Sequence, residues 1–207
     1  RVTSYDVATV TDGEAATNVI GHSVLNDGVT PSYTEGATND DAQIQGLSSA
    51  GYSNALDTVN HRLFVADSGN NRVLVFALNG TNQLADKVPD YVLGQPDFYN
   101  GTTRTVSAST TRDVSGLAYD STTNRLFVSQ GSTGGNRVTV YDVSSITNNE
   151  PAASVLGQAS FTATAAATTQ AGMSTPQGLH VDEARQVLYV ADSANHRVLT
   201  YNIASVT

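Results

Sequence analysis

The sequence predicts an all-β fold built from tandem repeats of short strands, and three observations support this prediction. The segments NRVLVFA, NRVTVYD and HRVLTYN share one pattern, which also begins the chain as RVTSYDV. Residues 1–25 align with residues 137–161 without a gap. Apolar side chains alternate along these segments with a period of two, which is the period of a β-strand.

The repeated arginine gives the register of the repeat. The unit restarts at Arg1, Arg72, Arg137 and Arg197, so its periods are 71, 65 and 60 residues. Periods of this order are typical of blades or solenoid coils. Residues 1–207 therefore form a single repeat segment of about three units, and we expect this segment to belong to a longer chain.

Each unit contains four candidate strands. In the last unit the first three are GLHVD at 178–182, VLYVADS at 187–193 and HRVLTYN at 196–202. The fourth strand is predicted in DYVLGQ at 90–95, ASVLGQ at 153–158 and TNVIGH at 17–22, where a glycine ends or bulges it. Both faces of NRVLVFA are apolar, which predicts sheets stacked on both sides, as in the blades of a propeller.

The turn between the second and third strands differs among the units. It reads Asp67-Ser68-Gly69-Asn70 in one unit and Asp192-Ser193-Ala194-Asn195 in another. These residues accept turn conformations and bond to their own backbone. In the middle unit Ser129-Gln130 replaces Ala-Asp, and two residues are inserted before the arginine.

Composition excludes several classes of protein. The chain has 207 residues, 39% of them apolar, a net charge of −9 and no cysteine. Its ten basic residues are scattered singly, whereas a nucleic-acid surface needs clustered Lys and Arg. No apolar run approaches the about 18 residues of a membrane span. The abundance of Thr, Ser and Asn with one lysine, Lys87, resembles microbial secreted proteins, so we expect an extracellular or cell-surface location.

Two long segments carry a family resemblance. LFVADSGNNRVLVF at 63–76 and PQGLHVDEARQVLYVADSANHRVLTY at 176–201 resemble NHL repeats, and residues 114–143 fit with the longer turn. Residues 53–57 read SNALD, where an NHL repeat is expected to begin with a glycine followed by a hydrophobic residue. The VLGQPDF and VLGQASF segments are similar to those of a long-repeat subgroup in extracellular microbial proteins.

This resemblance implies a β-propeller of four-stranded blades, most often six-bladed in the family, with the NHL core supplying the inner three strands. About three blade-equivalents are present, whereas closed propellers have about four to eight blades. The remaining blades would then come from the same parent chain or from a second copy. We favour the parent chain, because Arg1–Asp6 and Arg197–Asn202 encode the same third strand twice.

Candidate chemistry is sparse in this sequence. His180 in GLHVD is a catalytic and metal candidate, because we expect the first strand to line a channel. Some NHL-like propellers are zinc-dependent lyases, but those use several converging histidines. Asp40 and Asp41 are weak candidates for calcium, which needs six to eight oxygen ligands that no loop motif supplies here. We predict no cofactor.

Two sets of residues that recur in the repeat units are predicted to have structural roles. Asp57, Asp120 and Asp182 end the first strands, where a carboxylate accepts backbone N–H bonds of the following turn. Arg72, Arg137 and Arg197 begin the third strands and can pair with acids within or between blades. Asn79 and Asn100 each begin an Asn-Gly-Thr sequon, so both are possible glycosylation sites.

Three functions remain open on the sequence. The first is a non-enzymatic binding or scaffolding module whose loops on one propeller face contact a protein or glycan of unknown identity. The second is a metal-dependent, lyase-like enzyme that uses His180. The third is a structural subunit of a surface layer or filament. The missing catalytic sets favour the first, so we do not expect an enzyme.

Overall fold

The computed structural model describes residues 2–8, 10–21, 46–48, 50–102, 105–131 and 134–206. Within these residues the chain is all-β, with antiparallel strands and two 3₁₀ turns. The strands are β1 Val2–Ser4, β2 Asn18–Ile20, β3 Ala50–Asp57, β4 Arg62–Asp67, β5 Arg72–Ala77, β6 Tyr91–Leu93, β7 Val114–Asp120, β8 Arg125–Gln130, β9 Arg137–Asp142, β10 Ser154–Leu156, β11 Pro176–Asp182, β12 Val187–Asp192 and β13 Arg197–Asn202.

The strands form four antiparallel sheets in chain order. β1 and β2 make an N-terminal pair, β3 to β6 the first blade, β7 to β10 the second blade, and β11 to β13 the third blade. This arrangement confirms the predicted all-β fold and is that of a partial β-propeller. Each repeat unit has four strands. The N-terminal pair corresponds to the third and fourth strands of a unit, and the third blade corresponds to the first three.

The sheets stack face to face, because alternate residues of each strand enter different cores. In β5, Val73 and Val75 pack into the core shared with the second blade. Leu74 and Phe76 of the same strand pack into the core shared with the N-terminal pair. Each of these four side chains is at least 98% buried, and such burial contributes about 1.5–3 kcal/mol per side chain. The prediction that both faces are buried is confirmed.

The second and third blades share a third core of the same kind. Phe127 and Val140 of the second blade meet Leu188 and Val190 of the third blade there. The inner strands β3, β7 and β11 of successive blades also lie beside one another. Each inner strand carries a bulge or register irregularity near its beginning. The three blades are therefore repeats in packing as well as in sequence.

Glycine ends each fourth strand in a left-handed conformation. Gly21, Gly94 and Gly157 have φ values of +81°, +83° and +81°. A Cβ at Gly94 would lie 2.0 Å from Oγ1 of Thr111, and one at Gly157 would lie 2.5 Å from Cε of Met173. The long connection to the next blade is thus folded directly against this glycine, which leaves no room for a side chain.

The turns between the second and third strands are short 3₁₀ turns in two blades. They span Ser68–Asn70 and Ser193–Asn195, and they end at the left-handed residues Asn71 and His196. In the second blade the left-handed residue is Asn136, with φ of +47°. The inserted residues 132 and 133 of that turn lie outside the described residues. No helix among the described residues is long and apolar enough to cross a membrane.

We expect Gly94→Ala to destabilise the protein far more than Gly13→Ala does. Both glycines have positive φ, so both changes carry the same kind of backbone strain. Only the Gly94 substitution also places a Cβ against Thr111, whereas nothing lies within 4 Å of a Cβ at Gly13. Urea denaturation of the two variants measures the difference. Equal losses of unfolding free energy would show that the connection is not packed against Gly94.

Candidate functional site

A cleft lies where the three blades meet at the beginnings of their inner strands. We call it the inner-strand cleft, and its volume is about 490 Å³. Its walls come from β3, from the turn after β4, and from the start of β7 and β11. The lining residues are Ser53, Ser68, Gly69, Asp113, Val114, Ser115, Gly116, Gln177, Gly178 and Leu179. The cleft therefore requires all three blades.

Serine hydroxyls join neighbouring inner strands around this cleft. The Oγ of Ser53 accepts a hydrogen bond of 2.9 Å from the backbone N–H of Leu117 in the second blade. The Oγ of Ser68 donates to the carbonyl of Val114. On the other side, Ser129 Oγ donates to the carbonyl of Gln177 in the third blade at 2.6 Å. These bonds satisfy inner-strand groups that no sheet partner reaches.

Glycines allow this close approach of strands. A Cβ at Gly116 would lie 2.1 Å from the carbonyl oxygen of Gln177, and one at Gly131 would lie 2.3 Å from that of Pro176. Both contacts are with backbone atoms, which cannot rotate away as a flexible side chain can. Gly178, which aligns with Gly116, has only the Cβ of Ala191 at 3.9 Å, because no blade covers that face.

The lining mixes polar and apolar groups and carries little charge. Hydroxyls, an amide and backbone groups supply its hydrogen-bonding capacity, and Asp113 supplies a carboxylate. The Asp113 side chain is 29% exposed, and Arg112 Nε lies 3.8 Å from its Oδ2. The lining contains neither a histidine nor a cysteine to act beside a serine as a base or nucleophile. This surface suits hydrogen bonding to a neutral polar ligand more than covalent chemistry.

The repeated arginines Arg72 and Arg137 lie inside the protein. Arg72 is fully buried, and its Nε donates to Asp67 Oδ2 at 2.6 Å. Its other two nitrogens donate to the carbonyl of Phe98, after the fourth strand, and to that of Gly46, before the first strand, the latter at 2.9 Å. We call this set the arginine clamp of the first blade.

The third blade repeats this clamp. Arg197 Nε donates to Asp192 Oδ2 at 2.7 Å, and its terminal nitrogens donate to the carbonyls of Thr168, Thr169 and Gly172. Arg197 is 28% exposed. In both blades the arginine therefore binds the long connection that precedes the inner strand of its own blade.

The second blade builds its clamp without a carboxylate. Arg137 is fully buried, and its Nε donates to the amide oxygen of Gln130 at 3.0 Å. Burial lowers the pKa of Arg137 to about 10. The Gln130 amide nitrogen in turn donates to Thr139 Oγ1 at 3.0 Å. Thr139 aligns with Leu74 and Leu199, so the glutamine and the threonine depart from the repeat together.

A glutamine whose role sequence reasoning missed fastens the turn beside the clamp in the first and second blades. Gln95 Nε2 donates to the carbonyls of Asn70, Asn71 and Thr102, and Gln158 Nε2 donates to that of Asn136 at 2.8 Å. The signal was present as the recurring Gly-Gln pair. The role of the glutamine depends on the asparagine that adopts a left-handed conformation in the turn. Spacing along the sequence does not show that these two residues lie side by side.

The repeated aspartates at the ends of the inner strands accept hydrogen bonds from the following turns. Asp57 accepts from the backbone N–H of Asn60 at 2.9 Å and from Arg62 Nη2 at 2.5 Å. Burial acts to raise the pKa of Asp57, but these bonds outweigh it and hold the pKa below its ordinary value. The pKa of Asp120 is lowered in the same way by Thr122 and Thr123. Asp182 binds Arg185, which lowers its pKa.

The histidines do not come together in the described residues. His180 is exposed and lies on the open face of the third blade, 6.3 Å from Tyr189 between ring centroids. It aligns with Ala55 and Ala118, which are buried between blades. His61 Nδ1 is 2.7 Å from Asn82 Oδ1. Asp40 and Asp41 lie outside the described residues. No group of three or more metal-ligating side chains occurs in the described part.

The two sequons differ in accessibility. Asn79 is exposed in the turn after β5, where its Oδ1 accepts from the backbone N–H groups of Thr81 and Gln83 at 3.0 Å. Its side-chain nitrogen is not used by these bonds. Asn100 is half-buried, and its Nδ2 donates to Asp97 Oδ1 at 2.7 Å.

Comparison with known proteins found no family for this chain and a partial similarity to solved structures. No family model matches the chain, and no curated protein matches it. Among solved structures, the hydrazine synthase of Kuenenia stuttgartiensis is similar to it, with a TM-score of 0.43 and 9% sequence identity. The similarity covers 67% of this chain and 28% of that one, so the chain spans less than a third of that protein.

We expect Asp67→Asn to cost about 3 kcal/mol of unfolding free energy, because it leaves the Arg72 guanidinium buried without its carboxylate. Asp182→Asn is the control, since its partner Arg185 is 76% exposed and water screens that pair. Chemical denaturation at neutral pH compares the two variants. Similar midpoints would contradict the importance of the buried pair.

We also expect the stability of the protein to fall as pH drops below 3.8, the ordinary pKa of an aspartate. The native pKa of Asp57 lies below that value, so its stabilising effect is present above pH 3.8 and is lost as pH falls through the native pKa. Asp57→Asn should therefore be less stable than the parent at pH 7, with a smaller difference in acid. Unfolding free energies measured across this range, with Asp12→Asn at an exposed turn as control, test the expectation.

Proposed function

We propose that this protein is a non-enzymatic binding module that holds a protein or glycan ligand at the inner-strand cleft. One observation carries the proposal: three blades contribute segments to one cleft of about 490 Å³, and several hydrogen-bonding groups lie in its wall. A ligand there meets several loops at once, and loops on a rigid scaffold are common binding elements. The cleft is also within the size range of small-ligand sites.

The chemistry of the lining supports binding of neutral, hydroxyl-rich or peptide groups. The Gln177 amide offers a donor and an acceptor, and Asp113 adds one acceptor of negative charge. The hydroxyls of Ser53 and Ser115 donate to the carbonyls of Leu117 and Asp113, so they offer acceptor oxygens to a ligand. No paired base and nucleophile stands beside them, which favours recognition over catalysis. The lyase-like alternative has less support, because His180 lies on a sheet face and does not line this cleft.

We further propose that the blades belong to the long-repeat NHL type and that the protein works outside the cell or at its surface. The segments LFVADSGNNRVLVF and VLYVADSANHRVLTY support the first statement. The acidic, lysine-poor composition and the exposed sequon at Asn79 support the second. The net charge of −9 disfavours nucleic acid as the ligand.

The test is a binding screen with a defined set of probes. The protein is applied to an array of neutral and acidic oligosaccharides and to a displayed peptide library, and any binder is then titrated. Gln177→Ala should weaken binding about tenfold, because one hydrogen bond contributes about 0.5–1.5 kcal/mol. Gln83→Ala, which removes an equally exposed amide outside the cleft, is the matched control.

Two results would contradict the proposal. One is the absence of any binder in both screens. The other is a binder whose affinity responds equally to both glutamine variants, which would place its site away from the inner-strand cleft.

A further inference from the structure

The serine hydroxyls of the inner-strand cleft use their protons inside the protein. Ser53, Ser68 and Ser115 all line the cleft, and all three hydroxyls donate to backbone carbonyls of residues 113–117. A hydroxyl has one proton and two lone pairs. In this arrangement the three serines therefore present oxygen lone pairs to a ligand, and the Gln177 amide is the side-chain donor of the lining.

Asp113 places a carboxylate beside these oxygens. It is the charged residue of the lining, and its side chain is 29% exposed, so a ligand reaches it. Arg112 Nε lies 3.8 Å from Asp113 Oδ2, which is longer than the about 2.7–2.9 Å of a charge-assisted hydrogen bond. Water screens a contact of this length between two partly exposed side chains. Arg112 itself does not line the cleft.

The fold does not require a carboxylate at this position. Asp113 aligns with Thr175 of the third blade, and both residues are left-handed, with φ of +52° and +50°. Each backbone N–H donates to the left-handed asparagine of the preceding blade at 2.9 Å, Asn71 for Asp113 and Asn136 for Thr175. An aspartate and a threonine thus make the same backbone contact, so the turn does not explain the carboxylate.

The remaining lining is apolar or lacks a side chain. Val114 and Leu179 supply aliphatic groups, three glycines supply backbone, and the lining contains no aromatic ring. A methylated ammonium is recognised by an aromatic cage, and a guanidinium stacks on an aromatic face. A sugar hydroxyl brings two lone pairs with each proton, so its oxygens would face the oxygens of the serines. These three groups match the lining poorly.

We propose that the ligand of the inner-strand cleft is a peptide and that an unmodified lysine side chain of this peptide binds against Asp113. An ammonium has three donors and no acceptor, which complements a carboxylate and serine oxygens. The aliphatic stem of a lysine packs on apolar surface while its charge stays on polar groups, and Val114 and Leu179 offer that surface. The net charge of −9 also attracts a cationic peptide. This inference rests on the proposed binding function and adds one cationic group to the neutral groups already assigned to the ligand.

The experiment compares matched peptides on the unaltered protein. The displayed peptide library is prepared in two copies, one with free lysines and one with acetylated lysines, because acetylation removes the charge. Binders should come from the free copy. Acetylation of the critical lysine should weaken a binder at least about tenfold, since a hydrogen bond to a charged group contributes more than a neutral one.

Variants of the protein then locate the lysine. Asp113→Asn should weaken the free peptide about as much as acetylation does, and it should leave the affinity of the acetylated peptide unchanged. Asparagine also adopts the left-handed conformation, so the variant should keep the unfolding midpoint of the parent. Asp113→Thr, which copies the third blade, should act in the same way. Asp86→Asn is the matched control, since it removes the same charge from an exposed position outside the cleft.

Several results would overturn the lysine assignment and leave the binding function standing. One is a set of peptides that depend on Gln177 and bind equally well with free and acetylated lysine. Another is a glycan binder that depends on Gln177 in the absence of any peptide binder. Equal weakening by Asp113→Asn and Asp86→Asn would show a general effect of charge and would overturn it too. The absence of any binder overturns both this inference and the proposed function.

Discussion

The hydrogen bonding of the arginine at the start of each third strand is the interaction on which the rest of the structure depends. Arg72 is bonded to Asp67 in its own blade, to the carbonyl of Gly46 on the connection before this blade and to that of Phe98 on the connection after it. A guanidinium has five donors in a fixed plane, so one side chain can hold three segments at once. Because the Gly46 segment leads into the inner strand of this blade and the Phe98 segment leads into that of the next, the clamp of the first blade ties its position to the connections on either side.

The second blade shows how far this clamp can vary. Gln130 replaces the aspartate, and one amide oxygen accepts from both Arg137 Nε and the backbone N–H of Arg112. The amide nitrogen then needs an acceptor in the interior, and Thr139 supplies it where the other blades have leucine. The hydrogen-bond geometry of the clamp is thus retained, although Arg137 has no carboxylate partner in it. Burial lowers the pKa of Arg137 because no such partner offsets the loss of water. In this blade the clamp is held by hydrogen bonds to a neutral amide, whose partners Arg112 and Thr139 fix its orientation.

Much of the fold could be predicted, but little of the candidate site. Strand bounds followed from the period of two, and the fourth strand followed from Val-Leu-Gly-Gln, because both signals are local. The inner-strand cleft was not predicted, since Ser53, Asp113 and Gln177 are more than 50 residues apart and share no motif. His180 drew attention as a titratable side chain, although its position aligns with the buried Ala55 and Ala118. Only the stacking of blades shows that this position belongs to an inter-blade face.

The sequence by itself determined the repeat, the strand order and the burial of both sheet faces, because these depend on residue spacing along one unit. The tertiary structure alone decided which segments meet between units. It placed Arg72 against Gly46 and Phe98, and it joined three inner strands around one cleft. The physical reason is that those contacts form between groups distant in the chain, whose positions are fixed by backbone close approach at Gly116 and by hydrogen bonds across blades.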